Sequence, residues 1–499
     1  MSFILGAGDP TSGYEVENSM MGDAGSTTGL TKSFDAAGNR RTFTFSTWCK
    51  LSVSGSGMFS YLSGTQTGGS NYCQLGPDDL GSFRIFQGDS SVKAGTIALF
   101  KDPTAWYHVV FAIDTTQSTA SNRIKIYVNG ILRELCRPEN FTTAPDLPSQ
   151  NLELFHNTTD AFGVGQRGDL QGGAFNGYMA ETFFIDGSQL AASNFGETND
   201  EGIWIPKDCK DDLTFGTNGF YLEYKQTGTS ANSSGKGADT SGNDNHFDDN
   251  NMGTEHITTD TPTNNFCQFN MLTRPAGSTG VTLTEGGCAI NGNQTDAGFK
   301  GTFGVSAGKW YYEVKATLSA DGSSGSDRIL VATEQVRQIT SATDSGSGGI
   351  WGIQSRSGSG ATLNSYTNGT FSNSNSGSVG YNNGDIIGIA LDMDNYKLFF
   401  SRNGAFKDLA GNTGDPANGT NPTFASLPSP GAVYGSDGMF MLPYVENRTN
   451  FSPSSIANFG QPFYSISSGN SDANGHGNFE YEPPSGFFSL CTKNLAKYG

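Results

Sequence analysis

The chain has 499 residues, more than one hydrophobic core usually serves, so two or more domains are expected. Only 15% of the residues are charged, 12% are aromatic and 68 are Gly, a balance that favours short strands joined by turns over helices. The formal net charge of −19 disfavours nucleic acid and anionic membranes as partners, because cationic surfaces recognise both. These numbers predict an all-β protein.

The N-terminal segment, 1–28, has neither the basic start nor the apolar core of a signal peptide. No stretch approaches the run of apolar residues that a membrane-spanning helix needs. The seven cysteines are odd in number and include no C-x-x-C, which favours buried free thiols over disulfides or a zinc site. We therefore expect synthesis in a cytoplasm and no membrane insertion, with 1–28 as an attachment segment.

Two stretches of the chain follow the same pattern. HVVFAIDTTQSTASNRIKIYVNGILREL (108–135) and GDIIGIALDMDNYKLFFSRNGAF (384–406) each contain an apolar strand ending at Asp, a second alternating strand and an Asn-Gly pair. Asn-Gly between alternating runs is a strong signal for a tight type I′ hairpin. Each stretch therefore predicts a three-stranded antiparallel meander with one apolar face. The side chains predicted to form those faces are Val109, Phe111, Ile113, Ile124, Ile126 and Val128 in the first stretch, and Ile387, Ile389, Leu391, Met393, Leu398 and Phe400 in the second.

A meander of this size cannot hide its apolar face alone, so each one needs a second sheet packed over it. The predicted fold class is therefore all-β, with two tandem antiparallel β-sandwiches at 29–225 and 281–466. Between them, 226–280 is rich in Gly, Ser, Thr, Asn and Asp, which predicts a polar connector. The last segment, 467–499, is predicted to be a strand-and-turn tail in which Pro483-Pro484 forms a stiff spacer.

Particular segments carry a resemblance to known families. AGNRRTFTFSTWCK, WYHVVFAID and FNGYMAETFFIDGSQL resemble the laminin-G/concanavalin A-like lectin jelly roll, in the form found in tailed-bacteriophage virion proteins. FGVSAGKWYYEV, the stretch 384–406 and NFGQPF resemble a SPRY domain, which is a bent β-sandwich. The closing DANGHGNFEYEPPSGFFSLCTKNL resembles the segment after SPRY in phage tail proteins. The stretch after the lectin-like segments, with NFGETNDEGIWIPKD, FGTNGFYLEY, DTSGNDNHF and TDTPTNNFCQFNML, resembles those phage proteins even more specifically, and together the segments span nearly the whole chain.

This resemblance implies a non-enzymatic virion surface protein of the tail-fibre or spike type, which adsorbs to a host surface glycan or protein through its sandwich loops. A capsid decoration or head-fibre protein is the structural alternative, and a polysaccharide depolymerase is the enzymatic one. The implied partners are other virion proteins and the host glycan or protein. A homotrimer on the virion is the expected assembly, since virion proteins of this kind are symmetric multimers.

The acidic cluster Asp392, Asp394 and Asn395 invites comparison with a calcium loop. An EF-hand loop needs oxygen ligands at alternate positions, Gly at the sixth and a distal Glu, whereas here Tyr396 and Lys397 follow and the distal Glu is missing. The residue types are typical of a chain reversal, so we interpret the cluster as a turn. No metal ligands and no cofactor are predicted, with calcium at one rim of the lectin-like sandwich left open by the resemblance.

Catalysis is not predicted. Glycan hydrolases with a concanavalin-like fold carry acidic residues at alternate positions of one strand, whereas MAETFFIDG offers a single Glu, Glu181, with its nearest acid five residues away. Five scattered His and the lack of G-x-S-x-G leave no nucleophile arrangement, so no catalytic residue is assigned. Arg167-Gly168-Asp169 in QRGDL is interpreted as a turn between strands.

Aromatic side chains are the remaining candidates for binding. Four tryptophans lie within alternating runs and are predicted to be in the core: Trp48, Trp106, Trp310 and Trp351. Tyrosines in Gly- and Ser-rich stretches are predicted to project from loops, where an aromatic ring can stack on a sugar or anchor a protein interface. These candidate binding residues are Tyr61, Tyr72, Tyr366 and Tyr381.

Overall fold

The computed structural model describes residues 13–23, 27–52, 60–65, 72–274, 280–292, 297–317, 327–334, 336, 349–356, 362–373, 380–429, 440–447 and 455–499. These residues form two compact units, divided between Thr263 and Asn264. Antiparallel sheets dominate both units, which confirms the predicted all-β fold with two tandem sandwiches. No helix within the described ranges is long and apolar enough to cross a membrane.

The first unit is built from strands that form two large sheets and a separate two-stranded sheet, β14-β15. The strands are β1 (Ser19–Gly22), β2 (Gly29–Lys32), β3 (Thr42–Leu51), β4 (Leu62–Thr65), β5 (Tyr72–Pro77), β6 (Phe83–Gln87), β7 (Lys93–Thr96), β8 (Trp106–Asp114), β9 (Ile124–Val128), β10 (Ile131–Leu132), β11 (Leu135–Cys136), β12 (Phe162–Val164), β13 (Gly177–Asp186), β14 (Gly196–Thr198), β15 (Trp204–Pro206), β16 (Phe220–Leu222), β17 (Asp248–Asn250) and β18 (Ile257–Thr258).

Sheet A runs in the order β10-β9-β8-β3-β13-β1-β18, with β16 also paired to β13, and sheet B runs in the order β11-β7-β6-β5-β4-β12-β2-β17. The apolar faces of the two sheets pack together in one core. The predicted face of the first meander, including Val109, Phe111 and Ile126, lies in that core opposite side chains such as Leu75 and Ile85. Alternation along the strands therefore leaves each sheet with an outer face of its own.

The second unit has the same two-sheet plan. Its elements are β19 (Val281–Thr284), β20 (Ala289–Gly292), β21 (Ala297–Lys300), β22 (Lys309–Lys315), β23 (Arg328–Thr333), β24 (Ile350–Arg356), β25 (Thr362–Thr367), β26 (Thr370–Asn373), β27 (Ile386–Asp392), β28 (Lys397–Arg402), β29 (Ala405–Lys407), β30 (Met441–Asn447), β31 (Ile456–Asn458), β32 (Phe488–Ser489) and the helix α1 (Thr492–Tyr498). Sheet C runs β19-β20-β31-β22-β27-β28-β29, with β32 paired to β22, and sheet D runs β21-β30-β23-β24-β25-β26. Short 3-10 turns lie at Ala120–Asn122, Ala192–Asn194, Lys210–Asp212, Thr254–His256, Met271–Thr273 and Glu285–Gly287.

Both predicted meanders are present, as β8-β9-β10 and β27-β28-β29. Their turns have positive φ at both central positions, 49° and 77° at Asn129-Gly130 and 49° and 80° at Asn403-Gly404. These are the backbone angles that a type I′ turn requires, and only Asn, Asp and Gly adopt them readily. The Asn-Gly pairs therefore fix the hairpin register, as predicted.

The domain boundaries differ from those drawn on composition. The stretch 226–263 belongs to the first unit, where β17 pairs with β2 and β18 pairs with β1. The attachment segment 1–28 contributes β1 to sheet A, while its residues 1–12 lie outside the described ranges. The tail 467–499 belongs to the second unit, where β32 pairs in parallel with β22.

The polar stretch after β16 is ordered by hydrogen bonds to a buried carboxylate as well as by Phe247 and Met252, which pack into the apolar core. Asp239 is buried and accepts hydrogen bonds from the backbone N–H groups of Tyr221 (2.9 Å), Ser241 (2.9 Å) and Asn245 (2.8 Å). Composition alone predicts a connector here because it counts apolar burial and not such hydrogen bonds.

Replacing Asp239 with Ala is expected to lower the free energy of unfolding of the first unit by about 2–3 kcal/mol, because the buried N–H groups lose their charged acceptor. Urea denaturation measures the change. Asp248→Ala, at an exposed position of the same stretch, serves as the matched control and should change stability by less than about 0.5 kcal/mol. Equal effects of the two substitutions would contradict this account of the segment.

All seven cysteines lie in the described ranges, and all are buried free thiols, as predicted. The four tryptophans assigned to the core are also buried, Trp48 and Trp106 in the first unit and Trp310 and Trp351 in the second.

Candidate binding face on the first sandwich

The outer face of sheet B carries a ladder of polar and aromatic side chains across neighbouring strands. Cys73, Leu75, Phe83, Ile85 and Ala94 on β5, β6 and β7 point into the core. The residues that alternate with them therefore point outward. In register across the sheet, Ser63 lies opposite Gln74, Gln74 opposite Phe86, and Phe86 opposite Lys93.

Two aromatic rings lie side by side on this face. The ring centroids of Tyr72 and Phe86 are 5.9 Å apart, and the planes are tilted by 44°. Both side chains are half-buried, so part of each ring remains accessible. A cation lies near each ring: the Arg167 guanidinium is 3.9 Å from the Tyr72 centroid, and Lys93 Nζ is 5.8 Å from the Phe86 centroid. We call Tyr72, Phe86, Lys93 and Arg167 the aromatic–cation strip.

Arg167 reaches the strip from the loop that follows β12. Asp169 fixes its orientation, since Arg167 Nε donates to Asp169 Oδ1 at 3.0 Å and Nη2 donates to Oδ2. The guanidinium is therefore held over the Tyr72 ring by its ion pair with Asp169. The Arg-Gly-Asp tripeptide is thus a turn whose ends bind each other, in agreement with the turn interpretation.

A glycine keeps the space beside the strip open. A Cβ at Gly173 would lie 2.7 Å from Gln74 Nε2 and 3.3 Å from Arg167 Cγ, and the φ of Gly173 is 73°. A larger residue would displace both polar side chains. Gln74 in turn donates to Ser60 Oγ, so its amide is held in one orientation. The strip is therefore an arrangement of two half-buried aromatic rings, one arginine over Tyr72 and one lysine near Phe86, beside a buried amide.

The four candidate tyrosines do not lie together. Tyr72 begins β5 at the strip, but its ring is partly covered by Arg167. Tyr61 is fully buried against Phe175, with ring centroids 4.8 Å apart. The prediction that Tyr61 projects from a loop is therefore wrong. The same prediction is wrong for the two candidate tyrosines of the second unit, Tyr366 and Tyr381.

Tyr366 lies within β25, and its hydroxyl donates to Gln354 Oε1 at 3.0 Å. Tyr381 is fully buried, and its hydroxyl donates to the carbonyl of Asp327 at 2.6 Å. The prediction that these two tyrosines are exposed binding residues is therefore wrong. The Gly- and Ser-rich sequence around them suggested exposed loops. It does not reveal that each phenol is buried, with a hydrogen-bond partner inside the sandwich.

The outer face of sheet A is covered by the chain itself. Trp204 on β15 donates from Nε1 to His108 Nδ1 at 3.0 Å, and the His108 ring lies stacked between Trp204 and Trp48. Burial lowers the pKa of His108 to about 3, so the ring is neutral and Nε2 donates to Ser46 Oγ at 2.8 Å. This face therefore offers packed aromatic rings rather than an open platform.

A buried ion pair covers the other end of the same face. Lys50 Nζ pairs with Asp260, and neither side chain is exposed. Trp106 Nε1 also donates to Asp260 Oδ1 at 3.2 Å. Because Asp260 follows β18, this pair ties the polar stretch 226–263 to the central strand β3.

Glu181 occupies a β-bulge in the middle of β13. Its φ is 50°, and the register between β13 and β3 shifts at this point. The carboxyl accepts hydrogen bonds from the hydroxyls of Tyr221 (2.8 Å to each oxygen) and Tyr14 (2.8 Å). Burial raises the pKa of Glu181 to about 7, with the two tyrosine hydrogen bonds opposing that shift. Positive φ in a strand is a strained conformation that the surrounding structure must hold in place.

The acidic cluster in the second unit is a turn, as predicted. Asp392 is buried, accepts a hydrogen bond from the Asn395 N–H at 2.9 Å, and lies 3.3 Å from Lys309 Nζ. Asp394 Oδ1 accepts a hydrogen bond from the Gly308 N–H at 2.8 Å. Among the described residues, no group of three or more His, Cys, Asp or Glu could hold a metal ion. Calcium binding at one rim of the lectin-like sandwich therefore stays a prediction for which no ligands are assigned.

Each of the two sandwiches contains a region that matches a known family model. The model described as the concanavalin A-like lectin/glucanases superfamily matches residues 23–188, and the model described as the SPRY domain matches residues 309–434. The chain carries a concanavalin A-like lectin domain followed by a SPRY domain. The aromatic–cation strip lies within the lectin-like domain, and the second meander lies within the SPRY domain.

Solved structures with weak similarity include two SPRY domains. The SPRY domain of human HERC1 is 18% identical, with a TM-score of 0.25, and the match covers 38% of this chain and 94% of that one. The TRIM65 PSpry domain is 13% identical, with a TM-score of 0.25, and covers 38% and 90%. A protein described as a putative carbohydrate binding protein from Bacteroides ovatus is 14% identical, with a TM-score of 0.32, and covers 49% and 60%. A search of curated proteins gave no match.

Sequence reasoning found only Tyr72 of the aromatic–cation strip. Phe86 could have been found from the alternation in FRIFQ. There, Phe83 and Ile85 point into the core, and Phe86 therefore points outward. An aromatic residue at an outward position of a strand is a better binding candidate than one in a Gly-rich stretch. The contribution of Arg167 depends on a contact between distant segments, which the linear sequence does not reveal.

The raised pKa of Glu181 predicts a pH-dependent stability. A carboxyl whose folded-state pKa lies above its unfolded value favours folding while it is protonated, so this stability is lost as pH rises from about 4.5 to about 7. Its ionisation is expected to cost about 3 kcal/mol over that window. Glu181→Gln removes the ionisation, so its stability relative to the parent should increase with pH across this range.

Urea denaturation at intervals from pH 4.5 to 8 measures that difference. Glu197→Gln is the control, because Glu197 is an exposed carboxyl on β14 of the same unit, and its stability curve should run parallel to that of the parent. Parallel stability curves for the parent and Glu181→Gln would contradict the assignment.

Proposed function

We propose that this chain is a non-enzymatic carbohydrate-binding protein of a tailed-phage virion surface, and that the aromatic–cation strip contacts a host surface glycan. The single observation that carries the binding site is the half-buried Phe86 ring beside the Arg167–Tyr72 pair on the outer face of sheet B. Its location in a concanavalin A-like lectin domain supports a saccharide as the ligand.

The chemistry of the strip suits a sugar. The apolar C–H face of a pyranose packs on an aromatic ring, and its hydroxyl groups need donors and acceptors at the rim of that ring. Phe86 supplies the ring, while Lys93 and Arg167 supply donors beside it. Asp169 supplies acceptor oxygens beside Arg167. Hydroxyl-rich glycans match this mixture of charges better than a strongly charged ligand does.

The virion assignment rests on the order of sequence segments, which resembles tailed-phage proteins from the lectin-like domain through the C-terminal tail. On this proposal the partners are other virion proteins and the host glycan, the protein is an oligomer of identical copies with three as the expected number, and it lies on the virion. Adsorption to the host is the proposed role, with capsid decoration as the structural alternative.

Phe86→Ala is expected to weaken glycan binding at least tenfold, because a sugar ring loses its stacking surface, and a tenfold loss corresponds to about 1.4 kcal/mol. Tyr72→Ala should weaken binding as well, since Arg167 loses its support, whereas Tyr72→Phe keeps the stack and should bind as the parent does. A microarray of bacterial surface polysaccharides, followed by titration of the strongest binder, measures these effects.

Tyr127→Ala is the control, because Tyr127 is also half-buried but lies on β9 in the other sheet. It should bind as the parent does. The proposed site is refuted if Phe86→Ala and Tyr127→Ala bind equally well, or if the parent binds no polysaccharide on the array.

Gold-labelled antibody against this chain, applied to intact virions, tests the adsorption role separately. Label on the tail is the expected result. Label confined to the head would overturn adsorption in favour of decoration, and label on neither would overturn the virion assignment itself.

A further inference from the structure

Large apolar side chains are exposed together at one lateral edge of the lectin-like domain. Eight large apolar side chains are exposed among the described residues, and five of them belong to this edge. They are between 40% and 57% exposed. These five residues, which we call the edge patch, are Leu80, Ile97, Leu99, Ile131 and Leu132.

The topology brings the edge patch together. Strands β10 and β11 are the terminal strands of sheets A and B, and they follow one another in the chain, so one edge of each sheet lies on the same side. The N–H of Ile97 donates to the carbonyl of Glu134 at 3.1 Å, which joins the loop after β7 to the link between β10 and β11.

Two further contacts extend the patch to the turn between β5 and β6. The N–H of Phe100 donates to the carbonyl of Gly81 at 2.7 Å, so Leu80 and Leu99 lie in adjoining segments. The Arg133 guanidinium lies 5.4 Å from the Phe100 ring centroid. The residue after β10 therefore contacts the loop after β7. Edge strands with exposed apolar side chains are surfaces that natural proteins normally cover.

The charges around the patch indicate what covers it. Its rim carries both signs, with Arg133 and Lys101 on one hand and Asp79 and Glu134 on the other. The whole chain carries a net charge of −19, so two copies repel each other over most of their surfaces. Across a symmetric contact, however, the basic rim of one copy meets the acidic rim of the other, and the centre of the contact is uncharged.

We propose that the edge patch packs against the edge patches of neighbouring copies of this chain around a threefold axis, so that three copies share one apolar centre. The apolar side chains form the centre of the contact, and the four charged side chains form a self-complementary rim. This self-association uses the side of the sandwich and leaves the outer face of sheet B uncovered. It does not depend on the proposed glycan function, and its test involves no glycan.

Analytical ultracentrifugation of the purified full chain tests the proposal. The parent is expected to sediment as an oligomer at micromolar concentration. Leu132→Asp places a charge in the centre of the contact and should give the mass of a single chain, and Ile131→Asp should do the same. Leu272→Asp is the matched control, since Leu272 is 66% exposed but belongs to the second unit, and it should keep the oligomer.

Circular dichroism and thermal melting check that the variants remain folded, as expected for substitutions at exposed positions. A parent that is monomeric at all concentrations would overturn the proposal, even if the patch then binds a different virion protein. An oligomer that survives both Leu132→Asp and Ile131→Asp, or that Leu272→Asp dissolves equally well, would also overturn it.

Discussion

The structure depends on the covering of apolar sheet faces. Each sheet of the lectin-like domain has one apolar face, and the two faces meet in a shared core that includes Phe45, Phe111 and Leu75. Sheet A needs cover on its outer face as well, because aromatic side chains such as Trp48 lie there. The chain supplies that cover from β15 and from the polar stretch after β16. On the outer face of sheet B, Ser63 and Gln74 are buried, whereas Tyr72, Phe86 and Lys93 remain partly exposed to solvent.

Carboxylates buried within this low-charge chain hold the covering segments in place. In the SPRY domain the Glu313 carboxyl accepts hydrogen bonds from the backbone N–H groups of Glu480 (3.0 Å) and Tyr481 (2.8 Å), which fastens the C-terminal tail to β22. Asp472 accepts hydrogen bonds from Ser489 N–H (2.9 Å) and Asn494 Nδ2 (2.7 Å) and so orders the start of the helix α1. One charged acceptor satisfies several buried donors, which lets Gly- and Asn-rich segments fold without a large apolar core.

The same physics explains what the sequence could predict. The paired meanders were predictable because side-chain alternation and Asn-Gly turns are local signals, and Asn129-Gly130 and Asn403-Gly404 adopt the expected backbone angles. The domain boundaries were not, because the role of Asp239 depends on donors from separate parts of the chain. Of the binding face, only Tyr72 was predictable. Its partner Arg167 comes from a loop 95 residues away, whose sequence suggests only a turn.

Oxidative footprinting of the free and ligand-bound protein tests the central claim most directly, which is that the aromatic–cation strip on sheet B binds the ligand. Hydroxyl radicals label exposed aromatic side chains, and the polysaccharide bound most strongly on the array serves as ligand. The account predicts that bound polysaccharide lowers the oxidation of Phe86 and Tyr72 while Tyr127 is unchanged. Unchanged oxidation of Phe86 and Tyr72, with protection elsewhere in the chain, would contradict it.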